Sequence, residues 1–121
     1  MFHSIQFAGT HVILDLYGVC PTLLANESRL DEIMRAAVLK SGATILHSHF
    51  HHFGGDYGVT GVVVLAESHA SIHTWPEKNY ASIDIYMCGN CDPRIASGYL
   101  QSAMFAEYHT EQILYRGTEC E

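Results

Sequence analysis

Three groups of residues in this chain carry reactive side chains, and each also has a plain structural explanation. The first is a histidine tract, His47, His49, His51 and His52, in a chain that holds nine histidines. Alternate residues of a β-strand face one way about 7 Å apart, so His47, His49 and His51 would share a face. Two of them can ligate zinc if a further histidine or carboxylate arrives from elsewhere. They serve equally well as the polar face of a sheet or as an interface. The second group is Cys88-Gly89-Asn90-Cys91, a CxxC spacing that suits half a zinc site or a redox pair. Cys20 and Cys120 supply no second CxxC, so a zinc ribbon lacks its other half. A thioredoxin-like pair opens a helix, whereas here the helix signal Asp92-Pro93 follows the pair. At least one thiol is left available for catalysis. The third group is Glu67-Ser68-His69, with His73 five residues after the serine. Ser68 is not flanked by the glycines of a G-x-S-x-G elbow, and HExxH is absent.

These residues need elements to hold them. Residues 10–17, THVILDLY, are apolar and β-branched and predict a strand ending at Gly18. Leu30, Ile33, Met34, Ala37 and Val38 form one apolar stripe and predict a helix over 28–40. Asn26 or Ser28 suits its start and Gly42 its end. Strands are predicted over 43–51, 60–66, 68–75 and 80–87, with FGGDYG (53–58) as a loop and Pro76 as a stop. Asp92-Pro93 opens a second helix reaching about Ala106, and 107–116 returns as a final strand.

The middle strands lie too close in sequence for helical crossovers. The expected fold is therefore α+β: a two-layer sandwich with a mostly antiparallel sheet and two helices on one face. The other sheet face needs cover, which a second copy supplies most simply, giving a four-layer αββα dimer.

Composition bounds the rest. A chain of 121 residues, 48% hydrophobic and 16% charged, suits one folded domain spanning 1–121 and excludes disorder. With 13 acidic against 6 basic residues the net charge is −7, which argues against a nucleic-acid partner and mildly favours cationic ligands. No apolar run approaches the ~20 residues of a membrane span. The opening MFHSIQFAGT lacks the layout of a signal peptide, so a cytoplasmic location with reduced thiols is expected.

The stretch GVTGVVVLAESHASIHTWPE (58–77) adds a specific likeness. It resembles the self-processing segment of the prokaryotic S-adenosylmethionine decarboxylase family, whose pattern reads roughly GVSGVVVIxESHLxIHTWPE before a strand ending in Cys-Gly. Here that strand ends YMCG, with Cys88; SGAT (41–44) and FHHF (50–53) also resemble the family. The likeness runs over about residues 10–92.

The resemblance implies a proenzyme. Ser68 Oγ attacks the carbonyl of Glu67, and an ester forms and is eliminated. The chain then parts into a β chain (1–67) and an α chain (68–121) headed by a pyruvoyl group made from Ser68. It assigns proton abstraction to His73, a helping hydroxyl to Thr60 where serine is usual, and the later proton donor to Cys88. Phe53 resembles the residue that stacks the adenine, and Glu77 the one that holds the ribose hydroxyls. The covalent pyruvoyl cofactor forms a Schiff base with a small-molecule substrate and accepts electrons as CO₂ leaves. The family pairs two protomers, so a homodimer with sites near its interface is implied.

Two departures touch the substrate side. The loop after Phe53 is longer, lacks proline and carries Asp56, and the usual leucine after Ser-His is Ala70. Asp56 could pair with a cationic side chain through a charge-assisted bond. The expectation therefore leans to decarboxylation of L-ornithine or L-arginine, with S-adenosylmethionine as the alternative. A non-catalytic metal-binding module is a further alternative.

Overall fold

Alternation and capping decide the elements in the computed structural model, which describes residues 7–117; Cys120 lies outside them. Strand β1 is Gly9–Tyr17, followed by a one-turn helix α1, Pro21–Leu24, and the long helix α2, Glu27–Lys40. Strands β2 (Ile45–His52), β3 (Val59–Leu65), β4 (Ser68–Trp75) and β5 (Tyr80–Cys88) follow, then helix α3 (Pro93–Ala103) and strand β6 (Tyr108–Arg116). The sheet order is β2-β3-β4-β5-β1-β6, and every neighbouring pair is antiparallel.

Asn26, not Ser28, caps α2, its side chain accepting from the Arg29 amide at 3.0 Å. The expected stripe of Leu30, Ile33, Met34, Ala37 and Val38 is buried. Asp92 caps α3 with Pro93 in its first turn. That helix ends at Ala103 rather than near 106, because Phe105 turns left-handed (φ 50°). Two short elements were not expected: α1, and a single 3-10 turn at Pro76–Lys78. Both are too brief for periodicity to register, and both start at a proline.

Helices α2 and α3 cover one sheet face. Val12, Leu14 and Leu16 of β1, Ala70 and Ile72 of β4, and Ile83, Ile85 and Met87 of β5 are buried there. Each of these side chains larger than alanine contributes about 1.5–3 kcal/mol over exposure. A surface pair such as Arg29–Glu32 is worth ~0–1 kcal/mol, so packing dominates. The alternate residues, including His11, Asp15, Ser71, His73, Ser82 and Tyr86, lie half-buried on the opposite face.

Thr74, on the helix-covered face with Ala70 and Ile72, ties β4 to the end of α1 and the start of β3. Its buried hydroxyl donates to the Leu24 carbonyl at 2.6 Å and accepts from the Val59 amide at 2.8 Å. Gly58 must lack a side chain here, since a Cβ would sit 1.9 Å from the Thr74 carbonyl oxygen.

Four aromatic rings stack in a row from the edge strand β6 across β1 and β5 to β4. Tyr108 lies 4.7 Å from Tyr17, Tyr17 5.3 Å from Tyr80, and Tyr80 5.2 Å from Trp75. The Tyr80 hydroxyl donates to Asp15 at 2.6 Å. Burial first, and then Asp15, push its pKa up to about 12. The neutral phenol is thus favoured in the folded chain. Its contribution to stability is complete below the ordinary phenol value of about 10 and fades as pH rises through 12. In an ultraviolet titration of the seven tyrosines, the last phenol to ionise should vanish in Tyr80→Phe and move to lower pH in Asp15→Asn. A late phenol that survives Tyr80→Phe would disprove the assignment.

Candidate active site

Strands β3 and β4 form a hairpin with Ala66 and Glu67 at its turn, where Leu65 opposes Ser68. Three features converge on the Glu67–Ser68 peptide bond. Ser68 has φ 155°, a region that costs a non-glycine residue about 1–3 kcal/mol. The Glu67 carbonyl oxygen accepts two hydrogen bonds from one residue of β5: the Cys88 amide at 3.2 Å and the Cys88 thiol at 3.0 Å. The turn is also clamped from the loop before β2. The Thr44 amide donates to the Glu67 carboxylate at 2.9 Å, and the Ala66 amide donates to the Thr44 carbonyl at 2.9 Å.

This arrangement favours attack on that carbonyl. Two donors already aim at the oxygen that gains negative charge when a nucleophile adds. The nearest nucleophile is the adjacent Ser68 hydroxyl, whose Oγ lies 3.4 Å from His69 Nδ1. Cys91 sits beyond the Gly89 turn, and burial, then Glu67 and Cys88, raise its pKa and keep it a thiol.

A second group lies at the other end of the same hairpin. Thr60 and His73 oppose each other across β3 and β4, with Thr60 Oγ1 3.2 Å from His73 Nδ1. They border a cavity of about 320 Å³ whose wall includes Phe53, Tyr57, Trp75 and Glu77. Phe53 is exposed and meets His51 edge-on at 4.7 Å, and His52 Nε2 lies 3.1 Å from the Tyr57 carbonyl oxygen. His51 and His52 therefore support the 53–58 loop. Among the described residues no three His, Cys, Asp or Glu side chains come together as a metal centre requires.

The candidate residues thus fall into separate places. Glu67, Ser68 and Cys88 meet at the hairpin turn. Thr60, His73, Phe53 and Glu77 meet around the cavity, five residues along β4, or roughly 16 Å at the usual strand rise. Asp56 joins neither. It lines a different cavity of about 730 Å³ with Asn26, Glu27 and Glu77, the last of which borders both cavities. Ala70 is fully buried against the helices, so its small side chain alters core packing and not a pocket. Neither Asp56 nor Ala70 therefore lines the cavity beside Thr60 and His73, although Tyr57 of the same loop does. The Cys88 amide and the Thr44 clamp carry no side-chain signal and were not foreseen. Trp75 and Tyr57 were not singled out, although Trp75 stands within the HTWPE stretch.

A strained serine beside a clamped carbonyl that accepts two hydrogen bonds suits a chain that attacks its own backbone, and comparison with known proteins gives the class, a pyruvoyl-dependent carboxy-lyase. Residues 10–117 match the family model described as S-adenosylmethionine decarboxylase. A curated relative from Carboxydothermus hydrogenoformans, named S-adenosylmethionine decarboxylase proenzyme, is 44% identical, covering 93% of this chain and 89% of its own. One from Caldicellulosiruptor saccharolyticus, of the same name, is 41% identical over 90% and 88%. The crystal structure of the adenosylmethionine decarboxylase from Aquifex aeolicus superposes with a TM-score of 0.86 at 36% identity, covering 96% of both chains. The chain belongs to the S-adenosylmethionine decarboxylase family, whose proenzymes make their covalent pyruvoyl group from a serine by self-cleavage. The expectation of L-ornithine or L-arginine as substrate is overturned: these relatives are named for S-adenosylmethionine. No helix among the described residues is long and apolar enough to cross a membrane.

Proposed function

We propose that this chain is an S-adenosylmethionine decarboxylase proenzyme that cleaves itself between Glu67 and Ser68. The observation that carries the reading is the Glu67 carbonyl, bonded to both the amide and the thiol of Cys88 beside a strained Ser68. The residues present suit a pyruvoyl group at position 68, because the Cys88 thiol already lies against the Glu67 carbonyl next to it. When formed, the group supplies an electrophilic carbonyl that condenses with the substrate amine and takes up electrons as CO₂ departs.

The chain's own residues have these tasks. Ser68 Oγ attacks Glu67, whose carboxyl becomes the end of a β chain of residues 1–67. His73, held by Thr60 at 3.2 Å, removes the Ser68 α-proton so that the ester is eliminated, leaving an α chain of residues 68–121. Cys88 later returns a proton to the substrate carbon that lost CO₂. Phe53 offers a ring face to the adenine and Glu77 accepts from the ribose hydroxyls. Aromatic walls with one carboxylate suit a ligand that is flat at one end and cationic at the other.

His73 cannot reach Ser68 within one chain across roughly 16 Å of strand. The reading therefore includes a homodimer, closed through the half-buried sheet face, in which His73 of one protomer serves Ser68 of the other. Two-fold symmetry then makes two equal sites. The product would be the aminopropyl donor for spermidine synthesis.

Denaturing mass spectrometry tests the reading. Fragments of residues 1–67 and 68–121 are expected, with CO₂ release from S-adenosylmethionine and none from ornithine or arginine. A single intact chain of 13.4 kDa with no such release would overturn it.

A further inference from the structure

Self-cleavage needs a base before it needs His73. The serine hydroxyl must lose its proton as Oγ adds to the carbonyl, and the His73 of the same chain sits at the far end of the hairpin, so a base acting within the chain must be another residue. Among the described residues, one side chain is within hydrogen-bond reach of Ser68 Oγ: His69, at 3.4 Å through Nδ1. The Glu67 carboxylate, the other base nearby in sequence, is taken up by the Thr44 amide. The Cys88 thiol is directed at the Glu67 carbonyl oxygen.

We infer that His69 is the base that starts self-cleavage, acting within its own chain, while His73 completes it. The inference deepens the proposed self-cleavage and rests on it. The neutral His69 Nδ1 takes the Ser68 hydroxyl proton as the Oγ–carbon bond to Glu67 forms. The carbonyl π pair moves onto oxygen, where the Cys88 amide and thiol hold it. The carbon–nitrogen bond then breaks as the pair on oxygen returns. The proton on His69 passes to the departing nitrogen, leaving an ester and a free amine with no net proton change.

Position fits the task. His69 follows the nucleophile directly, on an exposed site at the start of β4. The strand register sets it opposite Tyr86, whose ring lies 6.0 Å away and limits the imidazole on one side. His11 packs on the same ring at 5.5 Å and is bonded to Asp84 at 3.1 Å, so it is engaged elsewhere. The adjacent placement makes this first step independent of which protomer supplies His73.

The experiment uses the full chain made by cell-free synthesis, with conversion followed on denaturing gels with and without hydroxylamine, which cuts esters. Wild type should cleave fully. His73→Ala should halt after the shift, so that hydroxylamine cuts it between residues 67 and 68. His69→Ala should convert about 10²–10⁴-fold more slowly, yield no fragments with hydroxylamine, and regain conversion when imidazole is added. His69→Gln keeps the volume and should remain uncut at an unchanged Tm, which separates a lost base from a lost fold. The inference fails if His69→Ala cleaves at the wild-type rate, if it accumulates hydroxylamine-sensitive ester, or if imidazole does not restore it. An uncut wild-type chain would instead sink the self-cleavage reading itself.

Discussion

Ser68→Ala will run as one uncut chain of 13.4 kDa and release no CO₂ from S-adenosylmethionine. The effect is a complete loss rather than a slowing, because one residue serves twice. Ser68 Oγ is the nucleophile that breaks the backbone, and the same residue supplies the carbonyl that later takes the substrate. Alanine leaves the two Cys88 donors aimed at a carbonyl with nothing to attack it. The fold should survive, since Ser68 makes no core contact comparable to Ile72 or Met87. A folded Ser68→Ala chain that still parts at this bond would remove Ser68 from the chemistry. Ser68→Thr or Ser68→Cys keeps a nucleophile on the same backbone and should cleave, more slowly, with only the cysteine variant leaving a sulfur-derived product.

The second large effect is recovery rather than loss. Ser68→Ala and His73→Ala should each be inactive alone, yet a purified heterodimer of the two should regain about half the activity of wild type, one of its two symmetric sites being intact. In that heterodimer only the chain that keeps Ser68 should be cut, although that chain lacks His73. The reason is the extended geometry of β4: five residues at about 3.3 Å each hold the two side chains apart, and a strand cannot fold back on itself. If neither chain of the heterodimer is cut, His73 acts within its own protomer or not at all. Thr60→Val should behave as a weaker His73→Ala, supplied by the same protomer, since Thr60 touches His73 and not Ser68.

Much of the scaffold was legible because its signals are periodic. The stripe from Leu30 to Val38 and the alternation along SHASIHTW each specify one face, and both faces are buried as read. Proline and aspartate at 92–93 marked a helix start through capping chemistry. What escaped notice was written in the backbone. The Cys88 amide and the Thr44 clamp act through main-chain groups that every residue carries. The substrate was misjudged for a related reason. Asp56 and Ala70 stood out by identity, which says nothing of position: one lines another cavity and the other is buried between sheet and helices. The strand predicted over 68–75 already held Ser68 and His73 five residues apart, and on a strand that spacing puts them out of reach of each other.

The aromatic row across the sheet has a practical side. Trp75 is the chain's single tryptophan, and it ends the row where the row meets the cavity wall beside His73. Light absorbed by Tyr108, Tyr17 or Tyr80 can pass along closely spaced rings and emerge from that one indole. Its emission would respond both to a second copy settling over the sheet and to a nucleoside entering beside it. The molecule thus carries an intrinsic optical reporter of its own assembly and loading, needing no label.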